Sequence, residues 1–407
     1  MLSLEEARER MLKCVEPLPV ERVPVERVPV AAAGGRFLAE PVASPLDLPA
    51  FDNSAMDGYA LRAADVAAAG AASPVGLKLL GAAAAGEVFN GAAAAGQCVR
   101  VFTGSALPAG TDAVVMQEDT RVEAARPGEV MVLDATKPWE NIRFRGEDVK
   151  QGAAVLATGD RLGATRQGLL AALGISAVTV RPQPVVGLLA TGSELLEAGQ
   201  PFAPGKIFES NRITLAPLLA EAGAVPRVFP LVRDTLEATR GALAQAFAEC
   251  DAVVTTGGVS VGELDFVKAA FESLGGRMDF WKVAIRPGKP FVFGRLGGKF
   301  LFGLPGNPVS AVVTFLVLVR PALLRWQGAR EIGLPSHPGL LAVPLLNQGE
   351  RRHFIRVRAD ENGAVRPAGG QASHLLGSLA LANGLVDVPP QTTWPAGTPV
   401  TVLRIEA

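Results

Sequence analysis

The residue types that could do chemistry in this sequence gather where apolar runs break into glycine. DAVVTTGGVSVGELD, from Asp251 to Asp265, opens as a short Val- and Thr-rich run, passes Gly257, Gly258, Ser260 and Gly262, and ends on an acidic helix start. Glycines there let the backbone approach a ligand closely, and the N–H groups that begin the next helix favour an anion. A tight strand-to-helix turn that binds nothing would have the same outline. Two further turns follow similar runs: TGSE at 191–194, with Thr191 and Gly192, and GLPGNP at 303–308, with Pro305, Gly306, Asn307 and Pro308. Three acids (Glu194, Asp234, Asp265) and three bases (Lys282, Arg286, Lys289) accompany them. Bases hold phosphate oxygens and one or two carboxylates hold a hard, partly hydrated cation, so the mixture suits a phosphorylated ligand with magnesium. Taken singly, Asp234 could be a helix N-cap and Asp265 a first-turn partner of the helix dipole.

The elements that must position these groups begin at Val185, where apolar runs such as VVGLLATG, VPRVFPL, PFVFG and KFLFGL alternate with helical patterns. That alternation predicts a parallel sheet with helices on both faces, whose ligands bind at the carboxyl ends of the strands. Asp234 and Glu237 are expected to form a capping box, with Leu236, Leu243 and Phe247 facing inward. Pro217 should bend its helix or delay its start. Upstream, Ser3 and Glu6 predict a capping box for a helix over 3–14 with Leu4, Ala7 and Met11 on one face. PVERVPVERV, at 19–28, is a tandem repeat whose prolines leave an extended edge or a linker. PAFDNSAMDGYAL sets Asp52, Asn53, Asp57 and Tyr59 in one loop, as mutual turn caps or as a site. Glycine-punctuated runs between 75 and 135 predict a β-rich module, with Thr103, Gly104 and Ser105 at a loop entry. After Trp326 another β segment is expected. Within it RRHFIRVR places Arg352, Phe354, Arg356 and Arg358 on one face of a strand, as a charge-guarded edge or as a contributor to anion recognition. His374 is assigned to a turn.

Composition narrows the classes. The 407 residues allow two to four domains, and a formal net charge of −1 gives no global footprint for nucleic acid or an anionic membrane. Cys14, Cys98 and Cys250 lie far apart, and all three histidines fall in the last quarter. This argues for a reducing compartment and against a structural zinc or a Cys–His nucleophile. MLSLEEARERML is charged and amphipathic rather than a signal peptide. Phe300 to Val319 is uncharged over a length that could span a bilayer, but PGNP divides it into a strand, a turn and a helix, each expected to be too short to cross. A cytoplasmic protein with no membrane or nucleic-acid partner is expected.

Together the motifs resemble the molybdopterin molybdenumtransferase family, which includes the E domain of gephyrin. The resemblance covers nearly the whole chain and rests on SPLDLPAFDNSAMDGYALR, VFTGSALPAGTDAVVMQED, NIRFRGEDV, TGSELLEAG, SNRITLAPLL, TTGGVSVGELDFVK, WKVAIRPGKPFVFG and GLPGNPVSA. It implies a multidomain α/β fold with β-rich modules. Residues 181–327 would form the α/β molybdopterin-binding domain with a mostly parallel sheet, and 48–138 a β-rich domain. Residues 1–47 with 139–180 would form an elongated linking and dimerisation domain, and 328–407 a C-terminal β-barrel-like domain.

The resemblance also implies a transferase that inserts molybdate into adenylylated molybdopterin and releases AMP with the molybdenum cofactor. Because molybdenum's sulfur ligands belong to the substrate, no cysteine cluster is needed. Asp57, Thr103, Glu194, Asp234, Asp265 and Lys282 match positions the family uses for catalysis or substrate binding, and Arg286 joins them. Asp265 and Glu194 are the implied magnesium ligands. The glycine-loop residues, Ser260 and Lys289 are the implied substrate contacts. The implied assembly is a homodimer whose cleft combines the β-rich domain of one subunit with the α/β domain of the other. A molybdopterin adenylyltransferase and apo-molybdoenzymes are the implied protein partners. Arg286 stands where many relatives have Lys, trading a point charge for a planar fork, and Ser193 where the family often has Asp. Two alternatives remain: a related molybdopterin-domain hydrolase or adenylyltransferase, and a scaffold that binds molybdopterin without turning it over.

Overall fold

The computed structural model describes residues 1–15, 26–259 and 266–405. Ser260, Gly262 and Asp265 lie outside the described residues, as does most of the 19–28 repeat; its end falls in a strand, Glu26–Pro29. The chain forms two compact units. One comprises Met1–Glu40, Thr158–Gly163 and Val178–Ala407, the other Pro41–Ala157 and Ala164–Ala177.

In the first unit the alternation from Val185 becomes a six-stranded sheet. Its strands are β1 (Val185–Ala190), β2 (Val225–Val228), β3 (Ala252–Thr256), β4 (Arg277–Trp281), β5 (Val292–Leu296) and β6 (Lys299–Leu304), in the order β2-β1-β3-β6-β5-β4. The first four are mutually parallel, β5 runs antiparallel to β6, and β4, antiparallel to β5, returns to the direction of the first four. The reason is local: Leu296 pairs with Lys299 across Gly297-Gly298, a two-residue hairpin too short for the crossover a parallel pair needs. The multidomain α/β class and the mostly parallel sheet are thus as expected.

Side chains alternate across the sheet, and helices cover both faces. On one face Val186, Leu188, Val254 and Phe302 pack with α1 (Leu4–Cys14), α2 (Asn211–Glu221) and α5 (Pro308–Trp326). On the other, Leu189, Val253 and Leu301 pack with α3 (Leu236–Glu249) and α4 (Phe266–Ser273). Each such fully buried aliphatic or aromatic side chain contributes roughly 1.5–3 kcal/mol, which is why the helices pack as a core on each face of the sheet.

Helix starts follow local chemistry with one correction. Ser3 and Glu6 make the predicted reciprocal capping box, and Leu4, Ala7 and Met11 are buried. For α3 the N-cap is Thr235, whose hydroxyl accepts the Ala238 N–H at 3.2 Å, so no box forms at Asp234 and Leu236 faces outward. Leu243 and Phe247 are buried as expected. α2 runs through Pro217 from Asn211 to Glu221.

α5 also departs from expectation. It continues past Pro321 by way of a π-helical turn, Phe315–Val319, the kind of adjustment that accommodates a residue without an N–H. At 19 residues it is long and apolar enough to cross a bilayer, but 83% of its apolar window is buried inside the protein. Its hydropathy is that of a core helix.

The C-terminal strands β7 (Ser336–Leu341), β8 (Arg352–Ala359), β9 (Ala364–Pro367), β10 (Gly384–Val388) and β11 (Pro399–Arg404) close into a barrel, β8-β9-β7-β11-β10 and back to β8. RRHFIRVR therefore makes no exposed edge, because closure pairs β8 on both sides. Arg356 is fully buried. Its guanidinium donates to Ser378 Oγ at 2.9 Å and to the carbonyls of Gly370 and Ala372 at 2.7 and 3.1 Å.

His353, in the same strand, is 4% exposed, and neither ring nitrogen has a hydrogen-bond partner among the described residues. Burial, then the charges of Arg286, Arg356 and Arg351, push its pKa from 6.5 down to about 4. Between those values the unfolded chain binds a proton that the folded chain does not. The contribution is therefore complete above the unfolded value and lost as pH falls toward the folded one. In denaturation experiments between pH 6.5 and 4.5, wild type should lose roughly 1 kcal/mol per pH unit more than His353→Leu. Parallel pH profiles would contradict this.

The second unit is built on another six-stranded sheet, in the order Ala113–Met116, Gly58–Leu61, Gln97–Val101, Val75–Ala83, Glu129–Val132, Thr120–Arg121. Alternate residues, including Tyr59, Leu61, Leu77, Cys98, Val115 and Val130, form its core.

Candidate active site

In the first unit the strand order reverses at β1, whose neighbours are β2 on one side and β3 on the other. Ligands of open α/β sheets bind outside the carboxyl ends of strands at such a switch point. A cavity of about 670 Å³ lies there, with walls from the ends of β1 and β3 and from the turn after β6. Thr191, Gly192, Glu194, Asp234, Gly257, Gly258, Gly306, Asn307 and Pro308 all line it.

The glycines are required by close approach. Gly257 and Gly258 adopt φ of +85° and +65°, and a Cβ on Gly257 would meet the Thr191 carbonyl oxygen at 2.5 Å. One on Gly258 would meet the Thr191 hydroxyl at 2.9 Å. Thr191 is 7% exposed and its hydroxyl has no hydrogen-bond partner among the described residues. Such an orphan at a cavity wall is a group a ligand could satisfy.

Asp234 is free of helix capping because Thr235 caps α3. Its Oδ2 instead accepts the Ser193 N–H at 2.8 Å, and its own N–H donates to Ser193 Oγ at 3.1 Å. Ser193 thus holds Asp234 at the wall, a role the sequence did not suggest. Glu194 folds over Gly192, where a Cβ would meet its carboxylate at 2.7 Å.

Several residues that sequence reasoning missed complete the walls. Asn211 is central: its Nδ2 donates to Thr256 Oγ1 at 2.6 Å and to the Gly306 carbonyl at 2.8 Å, tying two of the glycine turns together. The polar SN pair entering α2 was the available signal in the sequence. Asn307 Nδ2 donates to Ser373 Oγ at 3.0 Å, so the segment after the barrel strand β9 brings His374 and Leu376 to the cavity. Ile207, Phe208 and the buried Glu209 form the remaining wall.

The predicted bases are arranged differently. Lys282, Arg286 and Lys289 occupy the loop from β4 to β5 and do not line the cavity, although Pro290 does. Lys282 has φ +78°, and its Nζ lies 4.0 Å from the centroid of the Trp281 ring, a cation–π contact. Arg286 pairs in parallel with His353 of β8. Pro305 is buried, and its carbonyl accepts Thr256 Oγ1 at 3.3 Å. Among the described residues no three His, Cys, Asp or Glu side chains gather as a metal cage.

The other unit brings together Asp57 and Thr103. Asp57 Oδ1 accepts both the backbone N–H and the hydroxyl of Thr103, each at 2.8 Å. These two bonds, with the nearby Arg100 charge, hold the Asp57 carboxyl below its ordinary pKa and keep it ionised. Arg100 lies over the Tyr59 ring at 4.8 Å and the Phe102 ring at 5.2 Å. Asp52 is a loop cap: its Oδ1 accepts the Arg145 N–H at 2.7 Å.

A doubly wound domain with glycine turns, two carboxylates and an orphaned hydroxyl at its switch point has the chemistry that suits a phosphorylated ligand. Family comparison makes this specific. Residues 2–174 match the MoeA N-terminal region (domain I and II), 187–325 the probable molybdopterin binding domain, and 338–405 the MoeA C-terminal region (domain IV). The chain is 39% identical over 388 residues to the molybdopterin molybdenumtransferase of Haemophilus influenzae, covering 94% of this chain and 93% of that protein. It is 35% identical over 375 residues to the enzyme of that name from Bacillus subtilis, covering 91% and 87%. The fold is similar to that of the molybdopterin biosynthesis MoeA protein from Pyrococcus horikoshii, with a TM-score of 0.82, 32% identity and coverage of 99% and 100%. The chain belongs to the molybdopterin molybdenumtransferase family.

Proposed function

We propose that this protein inserts molybdate into adenylylated molybdopterin, releasing AMP and the molybdenum cofactor. The observation that carries the reading is the switch-point cavity, where the orphaned Thr191 hydroxyl faces glycine turns that leave backbone room for a phosphate. Glu194 and Asp234 suit magnesium, because carboxylate oxygens are the donors a hard cation takes. Two carboxylates fit an ion completed by phosphate oxygens and water, and Asp265 is the third candidate carboxylate. When bound, magnesium would offset the phosphate charge and that of the departing AMP.

The chain's own groups have distinct tasks in this reading. Thr191 and the N–H groups of the Gly257–Gly258 turn hold phosphate oxygens, with Ser260 and Gly262 as further substrate contacts. Asn211 keeps the two glycine turns in register, and Pro305 to Pro308 shape the opposite turn. Lys282, Arg286 and Lys289 supply positive charge for molybdate and for the oxyanions that bind with it. With adenylylated molybdopterin as substrate, AMP release should depend on molybdate. Binding without release would support a scaffold, and equal release without molybdate a hydrolase.

We also place this enzyme in the cytoplasm as a homodimer, on the resemblance of its motifs to the family, with Asp57 and Thr103 completing the partner subunit's site. Heterodimers of an inactive Asp57→Ala chain with an inactive Asp265→Ala chain should regain up to about half of wild-type turnover, since only one of the two composite sites is intact in a mixed pair. Verified heterodimers without any recovery would refute the shared cleft.

A further inference from the structure

The segment between β1 and α2 leaves the sheet and returns as an arm. Leu195–Leu196 pairs in parallel with Ile207–Phe208, and the Ile207 and Glu209 N–H groups each donate across it at 2.9 Å. Lys206 Nζ donates to the Ser193 carbonyl at 2.5 Å. Arg212 fixes the root, donating to both Glu197 oxygens at 2.7 Å and to Glu209 Oε2 at 3.0 Å. What this polar wiring holds in place is apolar and uncovered: Ile207 and Phe208 are 56% and 46% exposed, and both line the cavity. The Phe202 ring stands beside that of Phe208, 6.2 Å between centroids. Exposed apolar surface adds nothing to folding, so fixing it at a cavity wall has its use in covering by a ligand.

We propose that Phe208, flanked by Ile207, is the wall on which the adenine ring of the substrate stacks. The proposal rests on the function given above. An aromatic face accepts any planar heteroaromatic ring, and the substrate carries two, adenine and pterin. Position decides between them. The arm grows from β1, whereas the Lys282–Lys289 loop joins β4 to β5, and β1 and β5 are three strands apart in the sheet order. At about 4.8 Å per strand that is a separation of roughly 14 Å. The dithiolene belongs to the pterin half and must meet molybdate, an anion, at the cationic loop. With the phosphates at the glycine turns in the middle, the adenine half extends to the arm.

The test is calorimetric binding of AMP and, by competition, of ribose 5-phosphate, which lacks the base. Phe208→Ala should weaken AMP about tenfold or more and leave ribose 5-phosphate unchanged, while Phe208→Tyr, which keeps the ring, retains AMP binding. Equal weakening of both ligands would mean that the arm had collapsed and would overturn the proposal, as would no weakening of either. Weaker binding of free molybdopterin with AMP unchanged would put the pterin on this wall and overturn the adenine assignment. The AMP pattern in the variants, together with wild-type protein that shows no molybdate-dependent AMP release, would refute the proposed reaction while leaving the adenine wall standing.

Discussion

Gly257→Ala should lower kcat/KM for molybdate-dependent AMP release at least 100-fold, roughly 2.7 kcal/mol or more of transition-state stabilisation. Two effects combine at this position. A Cβ at φ +85° costs on the order of 1–2 kcal/mol, and the same carbon would meet the Thr191 carbonyl oxygen at 2.5 Å. The second effect decides the outcome, because the atom met is backbone at the end of β1 and cannot swing aside. The β3 turn must move, and it would carry the cavity wall away from Thr191 and from the Gly306 turn that approaches Gly257. Gly275→Ala separates the two effects. Gly275 has φ +86° with nothing within 4 Å of the added carbon, so it should cost stability by about 1 kcal/mol and leave turnover near wild type. Similar kcat/KM losses in the two variants would show that conformational strain alone, and not close approach, accounts for Gly257.

Gly58→Ala should destabilise the second unit by about 3 kcal/mol or more. Gly58 pairs with Met116 on one side and Val101 on the other, inside the sheet, and a Cβ there would meet the Val115 carbonyl oxygen at 1.9 Å. That distance is below any contact a side chain tolerates, so a strand must shift or the ladder must open. The neighbouring Asp57, whose Oδ1 orders Thr103, would move with it. Thermal unfolding and limited proteolysis would reveal the change, with cleavage concentrated between Pro41 and Ala157. A variant that melts with wild type and resists protease equally would show that the sheet can absorb the carbon.

Much of the site was legible because its constraints are local. A backbone that must take positive φ, or let another chain segment come within contact distance, demands glycine wherever it occurs, so the turns at 191–194, 257–258 and 303–308 stand out in the text. The alternation of apolar runs with helical patterns fixed the sheet class for a similar reason, since each strand must bury both faces. Ser3 and Glu6 were readable because a capping box spans only four residues.

The failures have the opposite character. Asp234 and Thr235 compete for one capping role, and pattern cannot say which wins. The hydrogen bonds between Asp234 and Ser193, 41 residues apart, belong to tertiary structure. Arg356 looked like edge protection because an alternating charged strand resembles an edge until closure gives it a second neighbour. α5 is longer than expected because it runs beyond the uncharged stretch to Trp326, its packed surroundings accepting Pro321 through a π turn.

The sequence by itself thus determined the family, the sheet class and the three glycine turns, all of which follow from short-range sterics and hydrophobic period. Only the tertiary structure decided that Asn211 ties two of those turns together, that Ser193 holds Asp234 at the cavity wall, and that Phe208 stands uncovered beside them. Those contacts join residues from 41 to 95 positions apart in the chain, or depend on surface left open after packing, and no spacing rule reaches that far.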